Sequence, residues 1–181
     1  MLTEFVRDHA FTIAWFGLMA VAWFGWSQED APSHWRWKLG AGSVAGLALA
    51  GVFGYAMVTR WGQSSALEGR YEWFGLLVLV EVVAATIGSL YLQRSEKGRW
   101  AAWWVAMVVA AHFIPLAFLV ADGSLIVLGV LQAGALLLLA RPLKGKQWST
   151  SRIVGPMMGL SMLLFAVVSA ALFVTTEGGV W

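Results

Sequence analysis

Three side chains stand apart in this chain: Glu81, His112 and Gln132. Each lies inside a long apolar run, and they are the one carboxylate, the one imidazole and the one carboxamide found within any of those runs. An acid and an imidazole within reach of each other share an exchangeable proton and titrate as a unit. Such a pair passes protons along, or gives one up when a cation takes its place. A carboxamide beside them supplies a donor and an acceptor that fix the orientation of a ligand. A carboxylate at mid-membrane depth costs roughly 2.5–3.5 kcal/mol on insertion scales, so Glu81 is expected to face the protein interior or water.

Distances along the chain favour a meeting. Glu81 stands 13 residues before Arg94, and His112 stands 13 residues after Arg99. In an antiparallel hairpin, equal distance from the turn means equal depth. Around the next turn, Asp122–Ser124, His112 is 11 residues before Gly123 and Gln132 is nine after it. All three polar groups are therefore expected in one layer. Pro115 follows His112 closely and is expected to kink its helix. It cannot donate to the carbonyl of Ala111, which is left as a further acceptor next to the imidazole.

Aromatic residues supply candidate walls. Ten of the twelve Trp sit near the ends of the apolar runs, where an interfacial belt accounts for them. Trp15 and Trp23 lie inside the first run, eight residues apart and hence on one helical face. With Phe16, Met19, Tyr55 and Trp104 they are the candidate walls around the polar layer. The candidate ligand-binding set is thus Glu81, His112, Gln132, Trp15, Trp23, Tyr55 and Trp104. Acid beside aromatic faces suits an organic cation or an aromatic amine.

Other chemistries lack their residues. There is no Cys and no second His within a run, so neither a zinc site nor bis-His haem is expected. No phosphate-cradling glycine motif is present, and no cofactor is expected. A triad of Ser161, His112 and Glu81 has no support from spacing. Net charge is only +2, with the basic residues scattered over short loops, which argues against nucleic-acid binding.

The elements that position these residues follow from composition. The chain has 181 residues, 60% hydrophobic and 12% charged, against about 45–50% and about 25% in a soluble domain. Six apolar runs account for the excess: residues 10–26, 39–59, 73–92, 100–121, 125–140 and 153–175. About 20 residues of helix cross a bilayer. The runs lack the in–out alternation of barrel strands, so they are read as helices, which satisfy their own backbone groups in lipid. The expectation is one all-α domain over residues 1–181, a six-helix transmembrane bundle whose first partner is the lipid bilayer.

Only Glu81, of 22 charged residues, falls within a run. Nine of the twelve Lys and Arg lie in the loops after runs 1, 3 and 5. Basic loops favour the cytoplasm, so both termini are expected outside. No cleavable signal peptide is read at the start, and a bacterial cytoplasmic membrane is the expected setting. Gly42, Gly46, Ala50 and Gly54 form a small-residue stripe on helix 2, which is expected to be the central helix. The stripe serves packing within the chain, with a homodimer face as its alternative use. Binding or transport of a hydrophobic or cationic small molecule, linked to a proton, is the expected function. The alternatives are a membrane enzyme using acid–base chemistry on a lipid-soluble substrate, and a structural subunit of a membrane complex.

Overall fold

The computed structural model describes residues 5–180. Six long helices account for the architecture: α1 (Val6–Ser27), α2 (Ser33–Thr59), α3 (Tyr71–Arg94), α4 (Ala101–Leu119), α5 (Ser124–Lys144) and α6 (Ser151–Glu177). No strand occurs among the described residues. All six are long and apolar enough to cross a membrane. The helices overrun the apolar runs: α1 starts four residues before its run and α2 six before. Hydropathy marks the hydrocarbon slab, whereas a helix continues as long as its hydrogen-bond ladder does. Arg7, Asp8 and His9 therefore sit on α1 itself.

Successive helices run antiparallel, and side-chain bonds gather the loops at two ends. At one end Thr150 Oγ1 donates to the Arg99 carbonyl (2.7 Å), and the Ser149 N–H donates to Asp30 Oδ2 (3.0 Å). At the other, Arg60 donates to the Val180 carbonyl (2.8 Å) and Arg7 to the Trp61 carbonyl (3.0 Å). The loops after α1, α3 and α5 thus share one end, and the α2–α3 loop shares the other with the start of α1 and the end of α6.

Two tight turns are closed by residues in the left-handed region. Glu96 (φ 58°) follows α3 and Ala121 (φ 52°) follows α4. In each case the next N–H reaches back five residues, Lys97 to Leu92 (2.8 Å) and Asp122 to Ala117 (2.9 Å). This is the Schellman closure, built here without glycine. Asp122 Oδ1 then accepts from the N–H of Ser124 (3.0 Å), which opens α5.

The central helix is α1, not α2. Eleven of the 22 residues of α1 are buried, against four of 27 in α2 and none in α3. The small-residue stripe has one partner only. A Cβ on Gly46 would stand 2.5 Å from the Gly17 carbonyl oxygen, and a Cβ on Gly17 would stand 2.6 Å from that of Gly46. The two backbones touch there, and Gly42 makes room for the ring of Phe24. The opposite face of α2 carries Val44, Leu47 and Val58, all exposed. Small residues bring one face of a helix close to one neighbour, but they do not place that helix in the middle. With Gly42, Gly46 and Ala50 seated on α1, most of the stripe is used within the chain. Gly54 meets nothing within 4 Å.

Helix α6 completes this group. Gly155 and Gly159 lie against Ser27 and Phe24 of α1. The ring of Phe24 is thereby wedged between glycines of α2 and α6. On the other side α4 packs between α3 and α5, with Gly129 of α5 against the Ala110 carbonyl. Helix α3 packs on α4 and makes no extended contact with α1. Helix α4 runs through Pro115 without a break.

Candidate functional site

Glu81 is the eleventh of the 24 residues of α3, hence near its middle. His112 projects from α4. The hairpin brings them together: His112 Nδ1 lies 3.2 Å from Glu81 Oε2, with 8% and 22% of the respective side chains exposed. The contact is close, but its alignment falls short of a hydrogen bond, and Nδ1 has no other protein partner. The imidazole is thus held beside the carboxylate. The edge of Phe113 flanks it, with ring centroids 6.2 Å apart.

Both groups line a cavity of about 370 Å³ between α1, α3 and α4, with Met162 of α6 and Leu125 of α5 also in its wall. Phe74, Val78 and Glu81 come from α3 at intervals of four and three, so they share one helical face. Val109, His112, Phe113 and Leu116 do the same on α4. From α1 come Trp15, Phe16, Met19 and Trp23. The chamber is aromatic and aliphatic, with its polarity concentrated in Glu81, His112, Asp8 and Thr12.

Two boundaries of the cavity differ in kind. Toward the chain termini the α2–α3 loop folds over it. Asp8 Oδ2 accepts from Ser65 Oγ (3.0 Å) and from the Ala66 N–H (2.7 Å), and Leu67 beside them lines the chamber. The Asp8 carboxylate also lies 3.6 Å from Arg7 Nε. Between α1 and α3 the boundary is a seam, because those helices do not pack on each other. Phe11 and Trp15 line the cavity on the α1 side, stacked with centroids 6.0 Å apart and partly exposed.

The candidate residues separate into two groups. Glu81, His112, Trp15 and Trp23 share the cavity, as do Phe16 and Met19. Gln132, Tyr55 and Trp104 lie outside it. Gln132 is on another face: it is buried between α5 and α6, and its Nε2 donates to Ser161 Oγ (2.7 Å). Depth along a helix is readable by counting, whereas the azimuth around it depends on which neighbours the helix packs against. Tyr55 sits on the outer, exposed face of α2. Trp104 shares its helix with His112 but lies eight residues away, about 12 Å along the axis. It covers Gly88 and donates from Nε1 to the Ala84 carbonyl (3.0 Å). The space at Gly88 is thus filled by indole.

Sequence reasoning passed over Asp8, Phe11, Phe74 and Leu67. The helical face that contains Glu81, extended backward by three and seven positions, reaches Val78 and Phe74, so those two were readable. Asp8 was masked by its position before the first apolar run, and Leu67 belongs to a loop that no periodicity marks. His9 was missed in the same way. It is buried against α6, with Nε2 3.1 Å from the Ser169 carbonyl and its ring edge-on to Phe173.

Among the described residues no group of three His, Asp or Glu is placed to hold a metal ion. The site is therefore defined by one acid–imidazole pair in an apolar chamber. Comparison with models of protein families, with curated proteins and with solved structures finds no match to this chain.

Proposed function

We propose that this membrane protein binds a small lipid-soluble amine, or another compact organic cation, in the cavity between α1, α3 and α4, and exchanges it against a proton held by Glu81 and His112. The observation that carries this reading is the 3.2 Å approach of His112 to Glu81 inside an aromatic-walled chamber at the middle of α3. A volume of about 370 Å³ is at the small end of ligand cavities. A carboxylate gives the cation a counter-charge, and the faces of Trp15, Phe16 and Trp23 add cation–π attraction. The seam between α1 and α3 offers an entry for a ligand already dissolved in the bilayer. Under this reading the end carrying Lys97, Arg99, Lys144 and Arg152 faces the cytoplasm. The carbonyl of Ala111, without a donor from Pro115, is a further acceptor next to His112.

A proton and a cation compete for the same carboxylate, so affinity for an amine that stays charged rises with pH. The test is binding of a quaternary aromatic ammonium to protein in nanodiscs between about pH 5 and about pH 8. Glu81→Gln is expected to weaken binding at the upper pH at least tenfold, since two unit charges about 4 Å apart attract by about 4 kcal/mol at an effective dielectric constant of about 20. It is also expected to flatten the pH dependence. Unchanged affinity and unchanged pH dependence in that variant would overturn the proposal.

The approach of the imidazole to a carboxylate also supports a second reading, a membrane enzyme in which Glu81 orients His112 as a general base. That reading expects turnover of a lipid-soluble substrate, lost in His112→Ala. If the pair is purely structural, the same variant melts earlier and no ligand changes its melting temperature.

A further inference from the structure

A second concavity lies far from the acid–imidazole pair, at the basic end of the bundle. It is a groove of about 670 Å³ between α3, α4 and the end of α5. Its rim carries three cations, Lys97, Arg99 and Lys144, and its wall is built from Tyr91, Trp104 and the backbone at Gly88. Gly88 lies six residues before the end of α3, about 9 Å deeper than the rim. The groove therefore runs from a cationic mouth into apolar depth.

The three cations are not equivalent. Arg99 is fixed: it donates to the carbonyls of Leu143 (3.1 Å) and Lys144 (3.0 Å), and its guanidinium lies 5.0 Å from the centre of the Trp100 ring. It closes the end of α5 and holds that end against the α3–α4 turn. Among the described residues, neither Lys97 nor Lys144 has a carboxylate within ion-pair distance. Their charges line the groove mouth beside the indole of Trp100, without an acidic partner.

We infer that this groove is a binding site for an anionic glycerophospholipid, with the phosphate held between Lys97 and Lys144 and one acyl chain laid past Trp104 toward Gly88. Charge complementarity selects an anionic headgroup, and basic pockets between transmembrane helices are suited to such groups. The apolar continuation selects a lipid over a soluble anion, which would leave the Tyr91–Trp104–Gly88 wall uncovered. Bound there, the lipid bridges the end of α3 to the end of α5, beside the point where Arg99 ties the α3–α4 turn to the last carbonyls of α5.

The test uses the full chain, stripped of lipid in detergent. Phosphatidylglycerol, phosphatidylcholine and inorganic phosphate are added separately, while thermal unfolding and lipid retention by native mass spectrometry are followed. Phosphatidylglycerol is expected to be retained roughly tenfold more strongly than phosphatidylcholine and to raise the melting temperature, with inorganic phosphate inert. In the double variant Lys97→Gln, Lys144→Gln the preference disappears, while the melting temperature in phosphatidylcholine stays at the parent value. Should that variant unfold early, Ala140→Trp, which fills the groove and leaves every charge in place, decides: loss of phosphatidylglycerol retention supports the site. Equal retention of the two lipids by the parent overturns it. So do a preference that survives both substitutions, and stabilisation by inorganic phosphate equal to that by lipid.

Discussion

Gly46 and Gln132 make the clearest cases of what a single side chain does in this bundle. At Gly46 any side chain must enter the space of the Gly17 carbonyl, which is backbone and cannot swing away. Gly46→Val is expected to separate α1 from α2 and to cost on the order of 1–3 kcal/mol, seen as a lower melting temperature in detergent. Gly51→Ala, on the same helix with open space around it, should not lower the melting temperature. Gln132 donates to Ser161, while its Oε1 is buried without a protein partner. Interhelical hydrogen bonds in membranes average about 0.6 kcal/mol, so Gln132→Leu should shift stability by less than about 1 kcal/mol. Because Gln132 lies outside the cavity, this variant should bind the ammonium probe like the parent. Loss of binding in Gln132→Leu would place the site elsewhere.

The elements are shaped at their ends as much as along their faces. Ala121 closes α4 in a left-handed conformation that costs an L-residue roughly 1–2 kcal/mol and glycine nearly nothing. Ala121→Gly should therefore stabilise the protein by about 0.5–1 kcal/mol after the added freedom of the unfolded chain is counted, measurable as a small rise in melting temperature. The α2–α3 loop is tied down by Asp8, whose Oδ2 takes two hydrogen bonds from Ser65 and Ala66. Asp8→Ala removes this acceptor, and both bonds with it, and is expected to speed amide hydrogen exchange at Ala66 at least tenfold, each charged hydrogen bond contributing about 1.5–3 kcal/mol. Exchange at Ala66 no faster than in the parent would mean that the loop is held by the burial of Leu67 instead.

At the scale of the whole molecule, two helical groups meet around the cavity. Helices α1, α2 and α6 are locked by glycines and the wedged ring of Phe24, and α4 carries α3 and α5. The groups touch through α4 and α6 and through the rings of Phe16 and Phe113, 5.3 Å apart. The seam between α1 and α3 is left where neither group continues. The chain has no Cys, so single cysteines report sidedness cleanly. Ser95→Cys and Gln147→Cys should label from one side of a sealed vesicle and Gln63→Cys from the other. Labelling of all three from one side would be incompatible with the antiparallel order of α1 to α6.

Composition and run length alone dictate that the chain forms helices that can cross a membrane, because a bilayer leaves a long apolar segment no other way to pair its backbone. Counting from the turns also fixes the depth of Glu81 and His112, since rise per residue is a property of the helix itself. Azimuth is different. Which way Gln132, Tyr55 and Trp104 point is set by which helices pack together, and in lipid that choice rests on van der Waals fit between small residues and rings, not on a hydrophobic pattern written along the chain. Tertiary structure alone thus decided that α1 is central and that Gln132 faces α6. It also decided that the carboxylate and the imidazole meet in a chamber lidded by the α2–α3 loop.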